Sequence, residues 1–472
     1  MTDNETLTCD VAVIGAGTAG LAAERAARKN GATTLLIDPA FAGTTCATVG
    51  CMPSKLLIAA AKARHAVARA DSFGIRTAGV TIDEAALFER VRAERDRFVR
   101  LTRESIAKIP DGIRIEAMAR FTGPDSLELD NGQRVKARAI VIATGSRPVM
   151  PDAFAALGDL ALTNENVFEL EKLPRRLAVV GSGAIGLELA QAFAHLGVEV
   201  SLFDKADTIA KIRCPRVHKA MKDIIAEDID LHLGVDITPS REGDEVAVTW
   251  KGASSGTARF DRLLVAVGRT PILDTLDLTK AGLECDDKGV PCHDRATMRC
   301  GESAVFIAGD VAADIPLLHE ASHDGAIAGR NAAALPAPVR TERHVPFSII
   351  FTEPPIVSIG KAEADGAVSG YTDYGNQGRA RVEARNEGAL TLYAAAPDGV
   401  LIGADIAAPG AEHLGHLLAW VIEQGMTATE VLAFPFYHPT IEEGLKSALR
   451  TVCAATPIPI PEDQDSGSPA GA

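Results

Sequence analysis

Residues 11–38 read VAVIGAGTAGLAAERAARKNGATTLLID. The apolar run Val11 to Ile14 has strand character, GAGTAG is a turn, LAAERAARKN has helical spacing, and Thr33 to Ile37 is a second strand closed by Asp38. That order is a βαβ unit, which predicts a parallel sheet with helices on its faces. The same grammar returns at Leu177 to Val180, GSGAIG, LELAQAFAHLG and Val198 to Phe203, closed by Asp204. Gly15 lies 23 positions before Asp38, and Gly181 lies 23 before Asp204. Two copies in one register predict two nucleotide sites on an α/β fold.

The chemistry follows from the residue types. Gly15, Gly17 and Gly20, like Gly181, Gly183 and Gly186, leave room for a pyrophosphate against the backbone, where a helix N-terminus offers N–H donors and positive potential. Asp38 and Asp204 stand where a carboxylate receives ribose hydroxyls. A carboxylate at 204 also repels the 2′-phosphate of NADP and so favours NAD, although Lys205 beside it offsets part of that repulsion.

The chain's 472 residues suggest about three domains. Its net charge of −15 repels nucleic acid and anionic membranes, so neither is expected as a partner. Aromatic residues are only 4%, which leaves the core to Ala, Val, Ile and Leu and suits helices packed closely on a sheet. Eight cysteines are too sparse for a disulfide scaffold and imply mostly reduced thiols. The opening MTDNETLTCD has no basic segment leading into a long apolar run, and no stretch reaches about 18 apolar residues, so a cytoplasmic enzyme is expected. Turn-rich boundaries fall at ATGSRP (143–148), VGRTP (267–271) and AALPAPVRT (333–341). The block up to Cys453 mixes alternating runs such as Ala389 to Ala395 with helices such as Glu412 to Gln424. The Pro-, Gly- and Ser-rich tail 454–472 is expected to be disordered.

Cys46 and Cys51 lie in GTTCATVGCMPSK (43–55). Residues five apart on a regular helix are too distant for a disulfide, which needs Cα atoms within about 7 Å. A bridge therefore requires a distorted segment, for which Gly50 supplies the freedom, and a strained, accessible bridge tends to be catalytic. Two independent reduced thiols are the alternative on spacing alone.

CATVGCMPSK resembles the redox-active segment of the class I pyridine nucleotide-disulfide oxidoreductases, the family of dihydrolipoamide dehydrogenase, glutathione reductase and mercuric reductase. GAGTAG, ATGSRP, GSGAIGLE, VGRTP, FIAGD (306–310), FTEPP (351–355) and FYHPTIEE (436–443) follow in family order across nearly the whole chain. The resemblance implies two Rossmann-like domains, binding FAD and NAD(P), and a C-terminal α+β dimerisation domain. The FAD domain would comprise 1–150 and 272–340, the NAD domain 151–271, and the interface domain 341–453.

By the same resemblance Cys46 and Cys51 form the redox disulfide, with Cys51 facing the flavin and Cys46 exchanging with substrate. Asp310 is the implied ligand of the flavin ribityl chain, and Thr144, Gly145 and Gly268 are implied cofactor contacts. Lys55, one turn after Cys51 on a helix beginning near Pro53, would place a cation by the thiolate and flavin and pair with Glu188. His438 is the implied general acid/base. The chemistry needs one, because a thiol with a pKa of about 8.5 is a poor nucleophile until deprotonated. Two roles compete for Glu443: orienting His438, or closing a capping box with Thr440. In the family His438 and Glu443 come from the neighbouring subunit, so the active site would exist only in a homodimer.

Asp204, the PSK segment with Glu188, and the absence of terminal relay thiols favour oxidation of dihydrolipoamide with reduction of NAD. The lipoyl group would be free or protein-bound, with a 2-oxoacid dehydrogenase complex as the larger partner. Thr48 replaces the family's usual Asn, and Phe436-Tyr437 replaces the frequent His-Ala, both at the substrate end. The alternatives are an NAD(P)H-dependent reductase of another disulfide, a quinone or a metal ion, and a redox-sensing flavoprotein with little turnover. His319-Glu320-Ala321-Ser322-His323 satisfies H-E-x-x-H, but no third histidine follows at metzincin spacing and the segment sits just after FIAGD, so no metal site is expected. Cys285, Cys292 and Cys300 are expected to be inert thiols, and His413 and His416 packing or surface residues.

Overall fold

The computed structural model describes residues 6–362 and 366–457. They form two compact units, one built from residues up to 53, 89–149 and 268–343, the other from 54–88, 150–267 and 344 onward.

In the first unit Thr6–Ile14 is the centre of a sheet, with Thr34–Asp38 and Arg134–Ile142 parallel on its two sides. Arg114–Glu116 extends one side, and Val305–Ile307, distant in sequence, extends the other. Val11 to Val13 and Ile140 to Ile142 are fully buried, as strands covered on both faces must be. The helix Leu318–Ala334 lies against Thr18–Lys29 at a distance only glycine permits. A Cβ on Gly325 would stand 2.1 Å from the Ala19 carbonyl oxygen, and one on Gly329 2.0 Å from that of Ala23. The two turn-rich motifs meet as a small antiparallel ladder, Ser146–Pro148 on Arg269–Pro271.

In the second unit Asp230–Leu233, Glu199–Asp204, Arg176–Val180, Arg262–Val265 and Ala161–Leu162 make a parallel sheet in that order, repeating the first βαβ unit. A three-stranded meander, Val235–Phe260, follows it in the chain. C-terminally, an antiparallel sheet of five strands runs in the order Phe347–Ile350, Ile356–Gly360, Leu401–Ala407, Ala389–Ala394, Val368–Asp373, accompanied by the helices Ala411–Glu423 and Gly444–Ala455. The class is thus α/β with two dinucleotide-type units and an α+β C-terminal part.

Four local readings differ from the sequence expectation, the first being that the strand read from Val11 begins at Thr6. Ala389–Ala394 alternates in type, yet every residue of it is buried, because it is an inner strand with helical cover. The helix expected to begin near Pro53 begins at Cys51, since a proline in the first turn removes an N–H that had no helical partner anyway. The last helix runs through Ala455, two residues into the expected tail, and the tail from 458 onward lies outside the described residues. Among the described residues no helix is long and apolar enough to cross a membrane.

Candidate active site

The two glycine loops are near copies. Gly15 and Gly181 have φ of +103° and +107°, and a Cβ on either would meet a carbonyl oxygen, that of Ala143 at 2.4 Å or of Ala266 at 2.3 Å. A Cβ on Gly20 would lie 1.8 Å from the Gly15 oxygen, and one on Gly186 1.9 Å from the Gly181 oxygen. Nothing lies within 4 Å of such a position on Gly17 or Gly183, the residues that open the helices Thr18–Lys29 and Ala184–His195. Both helices start without a side-chain cap or an acidic first turn. Uncapped N–H donors beside open space are what a pyrophosphate requires, so both cradles fit a dinucleotide.

This geometry separates the two sites by mutation. Gly20→Ala is expected to lower flavin occupancy of the purified protein, and Gly186→Ala to raise the Kd for NAD with flavin retained. Each overlap costs about 1–3 kcal/mol, roughly 5- to 150-fold in affinity. Flavin absorbance per protein and an NAD titration read the two effects.

Both acids are held by their own loops. Asp38 accepts N–H bonds from Ala16 at 2.8 Å and Phe41 at 2.8 Å. Asp204 accepts from Ser182 N–H at 2.5 Å, Ser182 Oγ at 2.7 Å and Ala206 N–H at 2.8 Å. Lys205 turns to Asp236, Nζ to Oδ1 2.8 Å, rather than to Asp204.

Asp310 is joined to both motifs of the small ladder. The Ser146 hydroxyl donates to its Oδ2 at 2.8 Å, and Arg269 binds Ser146 Oγ and carbonyl oxygen at 2.8 and 2.6 Å. Thr144 donates to the Ile272 carbonyl at 2.6 Å, and Gly145 and Gly268 take positive φ of +74° and +129° with open space at their Cβ positions. The sequence motifs ATGSRP and VGRTP did not single out Ser146 or Arg269; Ser146 reaches Asp310 across 164 positions, and Arg269 comes from a third segment of the chain.

Cys46 lies in the short helix Thr45–Thr48 and Cys51 opens Cys51–Ala68, so the helix is broken between them. The break is tight: a Cβ on Gly50 would stand 2.9 Å from the Thr45 carbonyl oxygen and 3.2 Å from the Cys46 Cα. Gly50 is required for its size, its φ not being positive. The Thr48 hydroxyl donates back to the Thr44 carbonyl at 3.0 Å, inside the turn. Cys46 faces a cleft of about 390 Å³ lined by Leu21, Ala47, Met52, Phe98 and Leu101, with the hydroxyls of Thr44, Thr102 and Ser105 and no charged side chain. Burial pushes the Cys9 and Cys300 thiols up to about 12, far from thiolate formation near neutrality.

In the other unit Lys55 Nζ is 2.6 Å from Glu188 Oε2 and 4.7 Å from the Phe351 ring centroid. Glu188 is nearly buried, and its Oε1 accepts the Phe351 N–H at 2.9 Å. Phe351 of FTEPP is a further partner that the sequence reading left unassigned. His438 Nδ1 is 3.0 Å from Glu443 Oε2, and the same oxygen accepts the Thr440 N–H at 3.1 Å. The carboxylate is 3% exposed and makes the contacts required by both of the competing roles. The H-E-x-x-H segment is committed elsewhere: Glu320 is buried against Arg343, Oε2 to Nη2 2.5 Å, while His319 is exposed. The cysteine pair and Asp310 belong to the first unit, and Lys55, Glu188, His438 and Glu443 to the second.

Residues 9–325 match the pyridine nucleotide-disulphide oxidoreductase family, and residues 346–449 match its dimerisation domain. A dihydrolipoyl dehydrogenase of Haloferax volcanii is 32% identical over 457 residues, covering 93% of this chain and 95% of the relative. One from Bacillus subtilis is 31% identical over 457 residues, covering 93% and 97%. Among solved structures, the HOCl-induced flavoprotein disulfide reductase RclA from Escherichia coli shares the fold, with a TM-score of 0.80 at 21% identity over 93% of this chain and 99% of that one.

Proposed function

The chain belongs to the pyridine nucleotide-disulphide oxidoreductase family, and from that premise we propose that it oxidises dihydrolipoamide, free or carried on a protein, with NAD as acceptor. It is an oxidoreductase that uses FAD and NAD. The observation that carries the substrate choice is the cleft at Cys46. An uncharged lining of leucine, methionine and phenylalanine suits the aliphatic arm and dithiol of a lipoyl group. Glutathione disulfide, with four carboxylates, would call for cations there. The names of the relatives point the same way, and the engagement of Lys205 with Asp236 leaves Asp204 free to repel a 2′-phosphate, which supports NAD.

In the proposed reaction one sulfur of the dithiol attacks Cys46 Sγ, the Cys46–Cys51 bond breaks, and Cys51 leaves as thiolate. The second substrate sulfur displaces Cys46 and closes the lipoamide ring. His438 takes the proton of the attacking thiol at Nε2 while Glu443 holds Nδ1. Lys55, fixed by Glu188, supplies positive charge one turn from Cys51 on the same helix. The first glycine loop and Asp310 would hold FAD, which would supply a two-electron relay between the dithiol and the nicotinamide. The balance is dihydrolipoamide plus NAD⁺ to lipoamide, NADH and a proton. His438 and Tyr437 are exposed in the single chain, 54% and 83%, which supports their donation across a homodimer interface. A protein-bound lipoyl arm of a 2-oxoacid dehydrogenase complex is the natural macromolecular partner.

Steady-state turnover with dihydrolipoamide and NAD, against NADPH with oxidised glutathione, tests the reading. The first pair is expected to be faster in kcat/KM by about a hundredfold or more. Equal or reversed rates would remove lipoamide as the substrate.

A further inference from the structure

Away from the redox residues, three helices of one unit end at the same place. His65 lies in the last turn of Cys51–Ala68, His195 is the final residue of Ala184–His195, and Asp228 is the final residue of Pro215–Asp228. Their donor atoms all lie within 4.8 Å of one another. The two imidazoles stack with centroids 3.7 Å apart and planes 19° from parallel, and His195 Nε2 is 2.8 Å from Asp228 Oδ2. His195 is 4% exposed and the Asp228 side chain 30% exposed, so the cluster has a built interior and an open mouth.

The charge pattern asks for a cation. A helix C-terminus carries partial negative charge, and here three such ends converge on a carboxylate. Of the surrounding cations, Lys62 and Arg385 hold Glu353 at 2.9 and 2.8 Å and Arg69 lies 3.8 Å from Glu387, whereas Arg64 offsets one helix end by donating to the His195 carbonyl at 3.0 Å and the charge of Arg69 also acts on Asp228 and His65. The His65 ring has no hydrogen-bond partner among the described residues. Two imidazole nitrogens and a carboxylate oxygen, one imidazole already oriented by the carboxylate, are the ligand types that borderline-soft divalent metals select.

We propose that His65, His195 and Asp228 form a binding site for a divalent transition cation of the zinc class, with water as the fourth ligand. Donors around tetrahedral zinc stand about 3.3 Å apart, so closing the site requires the His65 ring to rotate off the stack. The cation then takes the place of the hydrogen between His195 and Asp228. It ties the helix that begins at Cys51 and carries Lys55 to the helix that carries Glu188. The site stands on its own geometry and does not depend on the identity of the thiol substrate.

The test is calorimetric titration of chelator-treated holoenzyme with zinc chloride, without reductant, together with anomalous scattering from a zinc-soaked crystal of the parent. His65→Phe keeps an aromatic ring in the stack and removes the donor; Asp228→Asn removes the charge. One equivalent of zinc is expected among the three side chains, weakened at least about tenfold in each variant at unchanged flavin content, and unaffected by His319→Ala. Parental zinc affinity in His65→Phe overturns the proposal. So does an anomalous map of the parent with no peak between His65, His195 and Asp228, whatever the variants do.

Discussion

Cys46→Ser is expected to lower turnover of dihydrolipoamide with NAD by about three orders of magnitude or more, while NADH still bleaches the bound flavin. The asymmetry follows from where each cysteine stands. Cys46 lines the apolar cleft, so in the proposed reaction the substrate thiol meets it first, and a serine oxygen there can neither form nor release a mixed disulfide. The hydride route between NADH and flavin does not use that sulfur. Rapid mixing of the variant with dithiol and, separately, with NADH measures both halves by flavin absorbance. Near-parental reduction by the dithiol would place the exchange at another residue.

The second large effect concerns His438. His438→Ala is expected to cost about 10²- to 10⁴-fold in turnover with dihydrolipoamide, the range for removal of a positioned general base, and to flatten the pH–rate profile. Glu443 separates orientation from capping. Glu443→Gln keeps an oxygen for the Thr440 N–H but no longer stabilises a charged imidazole, so activity falls while stability holds. Glu443→Ala removes both contacts and is expected to lose a further 0.5–2 kcal/mol, about the worth of a cap, visible as a lower Tm. If Glu443→Gln keeps full turnover, the carboxylate is a cap and nothing more.

Local signals were legible in the chain. Both βαβ units follow from glycine placement and apolar period, because the Gly15–Gly20 and Gly181–Gly186 contacts are made inside each loop; all four strands end within a residue of the reading, and three begin within one, but the first begins at Thr6 rather than Val11. The Lys55–Glu188 pair was reached only through the family resemblance, since nothing in spacing joins positions 133 residues apart. What stayed hidden is long-range. Ser146, Arg269 and Asp310 come from three separate segments, and the commitment of Glu320 to Arg343 is invisible in H-E-x-x-H spacing. The convergence of His65, His195 and Asp228 depends on where three helices stop, and helix ends are the least certain part of any pattern.

Differential alkylation after anaerobic reduction tests the central claim most directly. The oxidised holoenzyme is treated with one equivalent of dihydrolipoamide, without NAD, quenched with iodoacetamide and mapped by mass spectrometry against an untreated control. Labelling is expected to rise at Cys46 and Cys51, Cys46 the more strongly, with Cys9, Cys214, Cys300 and Cys453 unchanged. A labelling pattern in which Cys46 and Cys51 are unaffected by the dithiol would contradict the account.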